Sequence, residues 1–147
     1  MPVCTEGFVR AVVMADTPLP VIDALHCMVG NIQEKDVDWN SPELQVAFLL
    51  EEGSRGRSLW NFVVRHSDQP SVFVRDGNRG HWHLHALTSV KNYNHELEQF
   101  FNWIRPYLRE KAGEFIGYAV HDQHPGSVKV FFAAGKTRGF SYARSDI

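Results

Sequence analysis

The chain has 147 residues, 44% hydrophobic and 22% charged, with 15 lysines and arginines, 17 acidic residues and eight histidines. That length buries a real core as one domain spanning 1–147, and the composition is too apolar for a disordered segment. A formal charge of −2 removes the electrostatic argument for a nucleic-acid or polyanion partner. Cys4 and Cys27 form no close pair, which argues against a zinc ribbon or a disulfide framework and for the reducing cytoplasm. No apolar run reads as a helical membrane span, and no basic-then-apolar leader is recognisable.

The first expected element is a strand over 8–14, apolar and β-branched but interrupted by Arg10. Asp16-Thr17-Pro18 then opens a helix, with Thr17 as its cap and Pro18 at its first position. Val21, Ile22, Leu25, Met28 and Val29 form its buried stripe, and Gly30 ends it. His26 sits beside that stripe and reads as a packed or rim histidine. Residues 31–40 are polar and read as loop. A short helix or a strand is compatible with 41–50. Gly53-Ser54-Arg55-Gly56-Arg57 lacks the spacing and the lysine-hydroxyl pair of a phosphate cradle. Residues 59–65 read as an edge strand and 67–70 as a turn.

Two strands, 71–75 and 81–90, flank Asp76-Gly77-Asn78-Arg79-Gly80, a strong hairpin signal. In the second strand Trp82, Leu84, Ala86 and Thr88 alternate with His81, His83, His85 and Leu87. The first set suits the core and the second the opposite sheet face. Residues 94–111 carry the clearest helical stripe: Leu97, Phe100, Phe101, Ile104 and Leu108. Asn94 suits its cap and Gly113 its C-terminal stop, while Pro106 predicts a kink or a loosened last turn. A second hairpin is expected from 114–121 and 127–134, and the tail from 136 either frays or adds an edge strand.

The order strand–helix–strand–strand–helix–strand is that of a ferredoxin-like split βαβ unit in an α+β domain. Both helices are expected on one face of an antiparallel sheet that carries extra strands. The other face is expected to carry His83, His85, Leu87, Phe131 and Ala133 and to be covered by a second copy of the chain, giving a homodimer.

Several segments resemble a group of small uncharacterised bacterial proteins. They are Ala15-Asp16-Thr17-Pro18 running into Val21-Ile22-Asp23-Ala24-Leu25 and Met28-Val29-Gly30, then Val90-Lys91-Asn92-Tyr93. Phe100-Phe101-Asn102-Trp103-Ile104-Arg105-Pro106-Tyr107 and Gly113-Glu114-Phe115-Ile116-Gly117-Tyr118 complete the pattern. The resemblance covers both helices and the strands around the second, and departs over 31–71 and at Asp122-Gln123-His124-Pro125. The group carries no established activity, so the resemblance implies no catalytic residue.

Two chemistries deserve weighing. Strand alternation puts His81, His83 and His85 on one side about 7 Å apart, a spacing from which imidazoles converge on a zinc ion. His121, Asp122 and His124 are further candidate ligands. The plainer reading is an exposed polar strand face. Cys27 follows His26 directly, and adjacent helical residues do not face each other, so they form no nucleophile–base pair. Phe115 and Phe131 are candidate platforms for stacked bases in an RNA-binding module. The expected function is therefore that of a non-enzymatic cytoplasmic binding protein of the immunity or inhibitor kind, with no catalytic residue and no cofactor. His83, His85 and Phe131 are its expected contact residues. A metal-dependent hydrolase built on His81, His83, His85 and His121 is the alternative, and an RNA-binding module the second.

Overall fold

The computed structural model of the chain describes residues 5–46, 71–90, 96–121, 124–133 and 138–141. The expectations for 47–70, for Asn94 and for Asp122 lie outside these residues. Strand β1 (Thr5–Val13) leads into helix α1 (Leu19–Met28), followed by two single 3-10 turns, Glu34–Asp36 and Pro42–Leu44. Strands β2 (Val72–Arg75) and β3 (Trp82–Val90) precede helix α2 (Glu96–Ile104). Strands β4 (Phe115–His121), β5 (His124–Phe132) and β6 (Arg138–Ser141) complete the order.

The six strands form one sheet in the order β2-β3-β1-β4-β5-β6, and every neighbouring pair is antiparallel. Among the described residues the fold is thus α+β, with two helices on an antiparallel sheet. β1 sits between β3 and β4 and alternates strictly: Thr5, Val9, Ala11 and Val13 are buried, while Glu6 and Arg10 are exposed. Arg10 therefore does not interrupt the strand; it occupies the outward half of a period-two pattern.

Both helices pack on the inward half. The expected α1 stripe of Val21, Ile22, Leu25, Met28 and Val29 is buried throughout. Its start differs from expectation: Pro18 occupies the cap without a side-chain hydrogen bond, and Thr17 is buried with its hydroxyl unpaired. In α2, Leu97, Phe100, Phe101 and Ile104 are fully buried. The helix stops at Ile104 and tightens into a 3-10 turn over Arg105–Tyr107, because Pro106 has no N–H to continue the ladder.

Leu108 is no longer helical. It forms an antiparallel bridge with Val13, while Met14 N–H donates to Tyr107 O and Arg109 N–H donates to Val12 O, both at 2.8 Å. The Glu110 carboxylate then accepts the Val12 N–H with both oxygens, at 2.9 and 3.0 Å. β4 pairs only with Thr5–Val9, so the stretch after α2 supplies the partners that the far end of β1 would otherwise lack. Gly113, expected as a helix stop, takes a positive φ of 90° in the turn before β4 instead.

Two glycines set how closely α2 approaches. A Cβ on Gly7 would fall 2.7 Å from Leu97 Cδ2, and one on Gly117 would fall 2.5 Å from Phe101 Cζ. Phe101 then stacks on Phe131 with ring centroids 3.9 Å apart. Lys129, on the same side of β5, pairs with Glu98 at 2.8 Å.

Candidate functional site

The face turned away from the helices carries the candidate site. Its central row runs across four strands: Leu87 on β3 lies opposite Phe8 on β1, Phe8 opposite Tyr118 on β4, and Tyr118 opposite Val130 on β5. Phe8 is the hub. Its ring stacks on Tyr118 at 5.3 Å and 19°, meets the His85 imidazole edge-on at 5.3 Å, and lies 6.3 Å from Phe115. Phe115 is 43% exposed, beside a register shift that interrupts the β4–β5 pairing. At the β2 edge, Val74 is 54% exposed and Val72 36%. Through its middle this face is apolar and aromatic but not exposed: Leu87, Phe8 and Tyr118 are half-buried and Val130 is buried, while Glu6 and Arg10 are exposed on either side of Phe8.

The three strand histidines do not act together. The His81 Nδ1 accepts the Ala15 N–H at 3.0 Å, which ties it to the loop after β1. The His83 Nε2 lies 3.6 Å from the Asp76 carboxylate. His85 lies against Phe8. The Asn78 N–H, 2.7 Å from the Asp76 carboxylate, holds that carboxyl below its ordinary range, with His83 as a further cause. Among the described residues, no three histidine, cysteine, aspartate or glutamate side chains gather as a metal-binding group. The backbone of His121 pairs with Thr5 and His124; the side chains of His121 and His124 lie outside the described residues.

Phe131 corrects the expected contact set. It and Ala133 are fully buried on the helix side. The reason is register: Phe131 lies opposite Gly117, which lies opposite Val9 on the inward half of β1. On β5 it is Val128, Val130 and Phe132 that share the outward parity. Phe8 and Tyr118 are the residues that sequence reasoning missed. The signal for Phe8 was present in the alternation of 8, 10 and 12 against 9, 11 and 13.

A second cluster joins α1 to the first hairpin. The His26 ring meets Phe73 and Trp82 edge-on, each at 4.8 Å; Phe73 stacks on Trp82, and the Arg75 guanidinium covers Trp82. The Asn31 amide nitrogen lies 2.9 Å from His26 Nδ1; with Asn31 as donor, Nδ1 is unprotonated. Burial pushes the His26 pKa down against a smaller opposing effect of Asp23. The neighbouring Cys27 thiol is pushed up to about 11, first by burial and then by Glu34 and Asp36. A thiol held in its neutral form is a poor nucleophile. His26 is therefore a packed histidine, as expected, and no Cys27–His26 pair arises.

Comparison of the chain with protein-family models, with curated proteins and with solved structures gives no match. Among the described residues, no helix is long and apolar enough to cross a membrane.

Proposed function

We propose that this chain is a non-catalytic protein-binding domain whose contact surface is the open face of its sheet. The observation that carries the reading is the row Leu87, Phe8, Tyr118 and Val130 across the four strands, with both described helices on the opposite side. Val130 is buried and Leu87, Phe8 and Tyr118 are half-buried, while Val72, Val74 and Phe115 are the exposed apolar groups of this face; apolar groups left exposed together typically mark an interaction site. Phe8 and Tyr118 supply large, stiff contact area, the kind of residue that dominates binding energy. An immunity or inhibitor protein is the version in which a foreign protein takes this face in the cytoplasm.

The fold reading that accompanies it is a ferredoxin-like split βαβ unit. In its support, β1 and β3 are adjacent, β2 flanks β3 and β4 flanks β1; β5 and β6 would then extend the sheet beyond that unit. A second reading, single-stranded RNA binding, draws on the Phe8–Tyr118 stack, since bases stack on exposed strand aromatics. The charge of −2 speaks against it.

The test is affinity capture from the source host with wild type and with Phe8→Asp. A stoichiometric protein partner retained by wild type and lost by the variant supports the reading. One zinc per untagged chain, lost in His83→Ala/His85→Ala, would replace it with the hydrolase reading.

A further inference from the structure

The end of α1 folds the chain back onto His26. Gly30 has a positive φ of 87°; its N–H donates to Cys27 O at 3.0 Å, and the Asn31 N–H donates to His26 O at 2.8 Å. That paired closure of a helix C-terminus needs a left-handed residue, which glycine supplies cheaply. It sets Asn31 beside the His26 ring. The Asn31 amide nitrogen lies 2.9 Å from His26 Nδ1 and donates to Phe73 O at 3.4 Å. A carbonyl only accepts, so the atom facing Phe73 O is the nitrogen, and Nδ1 accepts its other hydrogen. The neutral imidazole then carries its proton on Nε2.

The Phe73 carbonyl belongs to the rim of the sheet, because β2 is an edge strand. Leu87 meets Ser71 Oγ through both its N–H and its C=O, so the odd-numbered residues of β3 turn their backbone groups towards β2. His85 and His83 lie opposite Val72 and Val74, and the Asp76 N–H donates to His81 O beyond them. Alternate residues of an antiparallel strand bond to opposite sides, so the N–H and C=O of Phe73 point away from β3. An uncovered strand edge is a template for pairing, and Asn31 covers this one at Phe73.

We propose that His26 and Asn31 form a proton-operated clasp on the β2 edge: the neutral imidazole keeps Asn31 on the Phe73 carbonyl, and a proton on Nδ1 releases it. A protonated Nδ1 is a donor facing the amide nitrogen, another donor. Turning the amide over satisfies Nδ1 but sets an oxygen against Phe73 O. No orientation of Asn31 then serves both partners. Among the described residues, the charged groups around the ring are Asp23 and Arg75. Asp23, on the same helix, favours the proton. The Arg75 guanidinium, on β2, lies 5.9 Å from the Trp82 centroid and opposes a second cation at that ring. β3 contributes the Trp82 ring itself, and Asp36 of the first 3-10 turn acts on Asp23. Burial outweighs Asp23 and lowers the His26 pKa, so the clasp is closed at neutral pH and opens as pH falls through the folded value. It does not depend on the reading of the open face.

The experiment is amide hydrogen exchange by NMR on the full, untagged chain between about pH 8 and pH 5, corrected for the intrinsic effect of pH on exchange. The amides of Val72 and Val74, which bond β3, are the readout, and those of Val9 and Ala11 in β1 are the reference. Ring-nitrogen shifts give the His26 tautomer and its titration. Wild type is expected to show the Nε2–H tautomer and a loss of protection at Val72 and Val74 of about three- to tenfold as His26 titrates. Val9 and Ala11 are expected to keep theirs. Asn31 is exposed, so Asn31→Ala keeps the fold and is expected to hold β2 at the lower protection throughout. His26→Gln is expected to remove the pH dependence. An Nδ1–H tautomer, β2 protection that ignores pH, a loss shared equally by Val9 and Ala11, or a pH dependence that survives in either variant overturns the clasp.

Discussion

On the helix side of the sheet, Gly7 and Gly117 carry no side chain so that Leu97 and Phe101 can reach the strand backbone. On the other side, the same strands present Phe8 and Tyr118, each directly opposite the other. Neighbouring positions on β1 and β4 thus go from the smallest residue to some of the largest across the thickness of one sheet. The helix side is built by removing volume from the sheet so that helical side chains fill it. The open side is built by adding aromatic area that no described helix covers. That contrast separates a side filled by helical side chains from one that no described helix covers.

The largest blow to this contrast is expected from Phe101→Ala. It removes the ring stacked on Phe131 and opens a cavity against Gly117, at a cost of about 3–5 kcal/mol in chemical denaturation. A loss below about 0.5 kcal/mol, typical of a surface site, would show that α2 does not close on the sheet. Glu110→Ala comes next. It leaves the Val12 N–H without its carboxylate, and a hydrogen bond to a charged group contributes about 1.5–3 kcal/mol. A variant as stable as wild type would mean that water replaces the carboxylate at no cost.

A smaller, pH-dependent effect belongs to His26. Its folded pKa lies below the ordinary value of 6.5, so the stability it contributes is present above that value and is lost as pH falls through the folded pKa. Melting temperature against pH should therefore decline on the acid side, and the decline should flatten in His26→Gln. An unchanged slope in the variant would assign the acid sensitivity to other groups. The smallest change is expected from Val74→Lys on the open edge, within about 0.5 kcal/mol of wild type. A cost above about 2 kcal/mol would place Val74 in a packed environment and erase the difference between the two faces.

Much of the helix side was legible in the chain. The stripes Val21, Ile22, Leu25, Met28 and Val29 in α1 and Leu97, Phe100, Phe101 and Ile104 in α2 follow helical spacing, and all nine residues are buried. The hairpin around Asp76 and Gly80 and the parity of β3 were legible for the same local reason: turn chemistry and period-two alternation act between near neighbours. The open side was legible only in half. His83 and His85 fall where alternation puts them, but Phe131 does not.

What the sequence determined by itself is the course of the two described helices and the main strands and, within most of them, which residues share a face. Helical and strand periodicities are properties of the local backbone and are written into residue spacing. What only the tertiary structure decided is which of two faces looks inward on a strand apolar on both sides. On β5, Val130 and Phe131 are comparably hydrophobic, and the pairing of Phe131 with Gly117 settles the choice by leaving room for Phe101. Likewise, nothing local to Glu110 announces that its carboxylate will cap Val12, 98 residues away. Such choices depend on strand register and on the volume left by distant residues, which no local window contains.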